Sequence, residues 1–235
     1  DRLFIVNGTD GSMSVYSILV GQNVIAPSRF TTDGEFIAVG VEIADVFVIV
    51  KRSINGENRY LLEKFNPDFT LDSAKSGGAA SGVSMPQLKG KSVAIIRDGV
   101  VEPSQTVPTS PSPYSVIFES PATSSYQVGL NYTVTARTMP AEPVLSSGSV
   151  QGFKKRIIQV DAIVNDTKDM TINGKQVSFR DFGEDVLDSS VQPFTGIKTM
   201  NGMLGYSGTG QITISQSVPL EMTVLGLEYR LSVGN

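Results

Sequence analysis

Apolar and polar residues alternate with a period of two along most of this chain, and short Gly-containing turns divide the alternation into runs of strand length. The clearest case is Val46–Phe65. There Val46-Phe47-Val48-Ile49-Val50 and Arg59-Tyr60-Leu61-Leu62 stand on either side of Ile54-Asn55-Gly56. A two-residue Asn-Gly loop accepts positive φ at both positions, so it joins antiparallel strands without splaying them. The same grammar predicts hairpins at Leu3–Val6 with Ser14–Leu19 around Thr9-Asp10-Gly11, at Lys91–Ile96 with Val100–Val107 around Asp98-Gly99, and at Met170–Ile172 with Gln176–Phe179 around Asn173-Gly174. Phe36–Val41, Val46–Val50 and Arg59–Phe65 read as consecutive strands of a meander or a propeller blade.

Further along, Tyr114–Phe118 reads as a short strand. Tyr126–Thr138 reads as a long one with Leu130, Tyr132, Val134 and Ala136 on one face. Phe153–Val164 is expected to turn Ile158, Val160, Ala162 and Val164 inward. Gln211–Ser215 and Met222–Arg230 close the fold with Ile212, Ile214, Val224, Leu225 and Leu227. The small, flexible stretch Ser76–Gly82 marks the expected boundary between an N-terminal antiparallel segment, 1–82, and a second domain, 83–235. No stretch keeps a helical period. The expected class is all-β, with antiparallel hairpins building sandwich or barrel-like domains and propeller-blade-like strands as an option at the N-terminal end.

Composition narrows the chemistry. The chain has 235 residues, 40% apolar and 18% charged, enough to bury a core. No run approaches the roughly 18–20 apolar residues that a membrane helix needs; the longest candidate, Phe36–Val50, is broken by Glu42 and Asp45. It opens on Asp1-Arg2, without an initiator Met or a visible secretory signal, and so reads as a piece of a longer or processed polypeptide. There is no cysteine and no histidine. Disulfides, thiol nucleophiles, Ser-His-Asp and Cys-His arrangements and imidazole metal ligands are therefore excluded. Carboxylate pairs, Ser-Lys chemistry and all-oxygen sites for hard cations remain open. The net charge of −4 argues against tight phosphate binding, though not against DNA passing close by.

Each candidate site has a plainer explanation beside it. The acidic segment Asp181-Phe-Gly-Glu-Asp-Val-Leu-Asp, with Asp181, Glu184, Asp185 and Asp188, offers oxygens for Ca²⁺ but lacks the spacing of a calcium loop, so a solvated loop is expected. Glu42 with Asp45, and Glu63 with Asp68, are the nearest approaches to a glycosidase pair, which requires two acids about 5–9 Å apart in a cleft. Lys154-Lys155-Arg156 is the only basic triplet, read as edge protection or a phosphate contact. Gly208-Thr209-Gly210 precedes a strand rather than a helix, which removes a phosphate cradle. Asn7-Gly-Thr, Asn131-Tyr-Thr and Asn165-Asp-Thr match the glycosylation sequon by chance. No catalytic, cofactor-binding or metal-binding residue is assigned.

Several blocks, taken in order, resemble a known family. Val46–Phe65 resembles a valine-rich strand, Lys-Arg, Asn-Gly and Arg-Tyr segment of short-tailed phage tail tubular proteins, the nozzle family. Leu88-Lys-Gly-Lys-Ser-Val-Ala-Ile-Ile-Arg-Asp-Gly is similar to its Leu-x-Gly-Lys hairpin, and Val128-Gly-Leu-Asn-Tyr through Thr138-Met-Pro to its Val-Gly-Leu-x-Tyr strand. Gln151-Gly-Phe-Lys-Lys-Arg-Ile, Pro193-Phe-Thr-Gly and Pro219-Leu-x-x-Thr-Val-Leu-Gly-Leu-Glu follow in the same order. The likeness covers roughly Asp33–Glu228 and matches the C-terminal part of such proteins.

The resemblance implies a non-enzymatic virion protein made in the host cytoplasm and assembled as a homo-oligomeric ring, usually a hexamer. It implies adaptor and portal-side tail proteins and tail fibres as partners, a place in the channel through which double-stranded DNA leaves, no membrane anchor and no cofactor. A host-surface carbohydrate-binding β module, or a tail-associated glycan hydrolase, is the alternative; the absence of Trp counts against it. A cellular β-sandwich scaffold is a third.

Overall fold

The structure, a computed structural model, describes residues 2–145, 148–180, 189–202 and 205–234. It is all-β, and among the described residues the only helices are single 3₁₀ turns at Val20–Gln22 and Pro86–Leu88. Among the described residues no helix is long and apolar enough to cross a membrane. The chain divides into two compact units, Asp1–Tyr132 and Thr133–Asn235.

The first unit begins with two three-stranded meanders. Strands β1 (Arg2–Val6), β2 (Met13–Leu19) and β3 (Val24–Phe30) form one, and β4 (Glu35–Glu42), β5 (Asp45–Ile54) and β6 (Glu57–Lys64) the other. Their apolar faces share a core of Met13, Val15, Phe36, Val48 and Val50, with Phe4, Val6, Val39 and Phe65 packed around it. The Asn-Gly loop behaves as its sequence requires: Asn55 and Gly56 have φ of 51° and 82°, and Ile54 pairs with Glu57.

The same unit continues with β7 (Asp72–Gly77), β8 (Ala80–Ser84), β9 (Ser92–Arg97), β10 (Val100–Thr106), β11 (Ser115–Ala122) and β12 (Tyr126–Leu130). They form a sheet in the order β10-β9-β12-β7 and a two-stranded sheet of β11 and β8. β9 is buried on both faces. Val93 and Ile95 join Met85, Leu88, Val116, Phe118 and Val128 in the main core, while Ala94 and Ile96 pack with Leu71. The boundary expected after residue 82 falls inside β8. Within Ser76–Gly82 only Gly78 and Ala79 lie outside strands: Ser76 and Gly77 end β7, which is hydrogen-bonded to β12, and Ala80–Gly82 open β8, which is hydrogen-bonded to β11. Gly77 lies against the Tyr126 ring and Gly82 against the Val116 carbonyl, close approaches that a side chain would obstruct.

The second unit holds β13 (Val134–Arg137), the short pair β14 (Val144–Leu145) and β15 (Gly148–Ser149), then β16 (Lys154–Thr167), β17 (Thr171–Ile172), β18 (Lys175–Gln176), β19 (Phe194–Asn201), β20 (Thr213–Gln216) and β21 (Thr223–Gly234). The sheets run β13-β20-β17-β18 and β19-β16-β21. Ile157, Val160, Ala162, Val164, Met170, Ile172, Ile212 and Ile214 form the core. Among the described residues no sheet closes into a barrel, and the architecture is sandwich-like.

Three sequence expectations need correction. The long strand over Tyr126–Thr138 is broken at 131–133, and its halves lie in different sheets. Ile158 points outward, because the β16–β21 register shifts between Ile157 and Gln159 and the parity of the strand changes there. Leu225 is exposed for the same reason, at the shift between Ile163 and Val164.

Candidate interaction surface

The outward faces of the two N-terminal meanders are unusually apolar. Register places Leu3, Ile5, Tyr16, Ile18, Ile25 and Pro27 together on the outer face of β1-β2-β3, opposite the core residues Val6, Met13 and Val15. Ile25 is 68% exposed; Leu19 and Val24, also exposed at the β2–β3 tip with Val20, belong by register to the opposite row, that of Met13 and Val15. On β4-β5-β6 the outer row carries Phe47, Ile49, Tyr60 and Leu62, the last two 65% and 73% exposed. Ion pairs Lys51–Glu35 (3.2 Å) and Lys64–Asp45 (2.7 Å) flank this row. At the β4–β5 tip Ile43 is fully exposed with φ of 56°, an unfavourable conformation for a β-branched side chain. Contiguous exposed apolar surface rimmed by polar groups marks an interaction site.

The first unit buries two charged side chains, Glu102, which pairs with Arg97 at 2.6 Å, and Arg52, which centres a larger network. Arg52 sits on the inner row of β5 after Val48 and Val50, with its side chain fully buried. Its Nε and Nη2 donate to Glu63 (3.1 and 2.8 Å), Nη1 and Nη2 to Asp72 (3.1 and 2.9 Å), and Nη1 to the Asp33 carbonyl (2.9 Å). The Thr32 hydroxyl also donates to Asp72, at 2.6 Å. Burial alone would lower the guanidinium pKa, but the hydrogen bonds and charges of Glu63 and Asp72 outweigh it and hold the pKa up. Burial, assisted by the charge of Asp72, raises the Tyr132 hydroxyl. Asp98 accepts the backbone N–H groups of Thr123, Ser124 and Ser125, which hold its carboxyl well below the usual range.

The candidate residues from the sequence are dispersed among such roles. Glu63 is bound to Arg52, whereas Asp68 is exposed in an Asn66-anchored turn. Asp45 pairs with Lys64, and Glu42 lies exposed beside the β4–β5 tip. The triplet Lys154-Lys155-Arg156 does not guard an edge. It opens the central strand β16, and Lys155 is buried, donating to Glu142 (2.8 Å) and to the Gly208 carbonyl (3.5 Å). Gly208–Gly210 packs on this lysine, with Gly210 against its Cβ. Asn165 and Asp166 meet Thr195 in a local side-chain cluster. The acidic segment with Asp181, Glu184, Asp185 and Asp188 lies outside the described residues.

Among the described residues, no group of three or more Asp or Glu side chains is placed to hold a metal ion. Sequence reasoning missed Arg52 and the apolar outer rows. Parity along β5 carries both signals, since Arg52 falls in the row of Val48 and Val50 while Phe47 and Ile49 fall in the other. No family model matches the chain, and no curated protein matches it.

Proposed function

We propose that this chain is a structural component of a short phage tail, belonging to the nozzle wall, and that it works by shape and contact rather than by bond-making. The observation that carries the reading is the pair of apolar outer rows on the N-terminal meanders, which fit protein neighbours and offer no catalytic constellation. The ordered resemblance over Asp33–Glu228 supports it. Assembly is as a closed homo-oligomeric ring, a hexamer, in which one surface of a subunit meets a different surface of the next. Its neighbours are adaptor and portal-side tail proteins and tail fibres. The acidic balance suits a wall along which double-stranded DNA slides, because a like-charged surface repels phosphates where a basic one would hold them.

The test is electron microscopy of virions carrying a gold-binding tag in the exposed turn at Asn173-Gly174 of this chain. Label at the tail, below the portal, is expected. Label on the capsid shell, or no label in purified virions, overturns the proposal.

A further inference from the structure

The first unit leaves one long, straight strand edge open. β6 ends the order β4-β5-β6 and, among the described residues, pairs only with β5. Its register is unbroken from Phe47↔Lys64 to Ile54↔Glu57, and it contains no proline. The neighbouring outer strands are blunted: β3 carries Pro27, and β4 has a register shift between Phe36 and Ala38. The direction of the free groups on β6 follows from its ladder. The Phe65 amide donates to the Val46 carbonyl at 2.9 Å. Antiparallel pairs alternate between bonded and non-bonded, so Glu57, Arg59, Leu61 and Glu63 turn their backbone groups toward β5. Asn58, Tyr60, Leu62 and Lys64 turn theirs toward the open edge.

We infer that β6 pairs antiparallel with β6 of a second copy of this chain, about a two-fold axis at Leu61. A two-fold axis normal to the sheet sets residues of equal parity opposite one another, so it must pass through a residue rather than between two. With the axis at Tyr60, Glu57 would face Glu63 of the second copy, and like charges directly opposite are unfavourable. With the axis at Leu61, Arg59 faces Glu63, Tyr60 faces Leu62, and Asn58 faces Lys64, each twice. In its own chain Arg59 is ion-paired with Glu57 at 2.5 Å, but both side chains are exposed, so exchanging that partner for Glu63 of the second copy costs little. Glu63 keeps acceptor capacity beyond its two bonds to Arg52. Tyr60 and Leu62 of both copies then join Ile49 in one apolar strip across a six-stranded sheet.

This contact closes on itself after two copies. It goes beyond the ring reading, does not rest on it, and is separate from the head-to-tail contacts that a ring needs.

The cysteine-free chain allows a direct test of register. Leu61 at the axis is a non-hydrogen-bonded pair, whose Cα atoms lie about 4.5 Å apart, within disulfide reach. Mild oxidation of the Leu61→Cys protein is expected to give a covalent dimer, whereas Tyr60→Cys and Leu62→Cys each stay monomeric on denaturing gels. A Leu61→Cys protein that stays monomeric, or a Tyr60→Cys protein that cross-links as well, overturns the proposal. Sedimentation equilibrium of the cysteine-free protein should show a dimer. Leu62→Pro removes a donor from the open side alone and should weaken that dimer by about tenfold or more, with circular dichroism unchanged. Should Leu62→Pro fail to fold, Arg59→Glu, which sets Glu against Glu63, is expected to weaken the dimer to a similar degree. A wild-type monomer at every accessible concentration, or a dimer indifferent to Arg59→Glu, overturns the inference.

Discussion

Replacing Arg52 by Met tests whether the buried charge network holds the first unit together. The substitution keeps much of the apolar stem but strands two carboxylates that now share one guanidinium. Breaking a buried ion pair by removing one partner costs about 3–5 kcal/mol. The Glu63 and Asp72 side chains retain 18% and 25% exposure, so water reaches them and the cost falls at the low end, about 3 kcal/mol. For a unit of this size that corresponds to a fall of roughly 10 °C in melting temperature. Lys155→Met is the internal comparison. Its single carboxylate partner, Glu142, is 44% exposed, about twice as much as either partner of Arg52, so the loss should be clearly smaller, about 1 kcal/mol. Urea unfolding followed by far-ultraviolet circular dichroism measures both, and hydrogen exchange at the Val48 and Val50 amides assigns the Arg52 loss to β5. An Arg52→Met protein within about 1 kcal/mol of wild type would refute the argument. So would equal losses in the two variants.

Asp98 supplies a pH signature. Its carboxyl titrates lower in the folded chain than in the unfolded one, so its contribution is complete above about pH 4 and is lost as pH falls further. Asp98→Ala should therefore flatten the acid limb of a stability–pH curve and lower stability at neutral pH, as read by urea titrations at stepped pH. Ile43→Gly relieves a left-handed β-branched residue that buries nothing, and should stabilise the protein by about 1 kcal/mol in thermal melts. Gly129→Ala would put a methyl 2.7 Å from the Asp72 carbonyl oxygen, and should cost about 1–3 kcal/mol by the same assay.

Much of the fold was legible because two-residue turns declare themselves. Asn55-Gly56, Asp98-Gly99 and Asn173-Gly174 all carry the positive φ values that their residues favour, and each sits between paired strands. Parity failed where a register shift intervened. Ile158 and Leu225 look inward by counting, yet a shift beside each reverses the count. The Gly-rich run before residue 82 reads as a break because small residues lack a strand signature. Here their smallness is what lets Tyr126 and the β11 backbone approach. The buried Arg52 was visible only as a parity anomaly, since its partner Asp72 lies twenty residues away in the chain and no local pattern joins them.

The pairing of β16 with β21 also fixes how the second unit responds to force. Lys154 lies opposite Gly234 and Asn165 opposite Thr223, so tension entering at Lys154 and leaving at Gly234 pulls on the same end of the ribbon. Under that load the ladder unzips, each rung failing alone, instead of shearing with all its rungs loaded in parallel. A stiff assembly made from this unit must therefore route stress sideways, from strand to neighbouring strand, and spare the polypeptide's own axis.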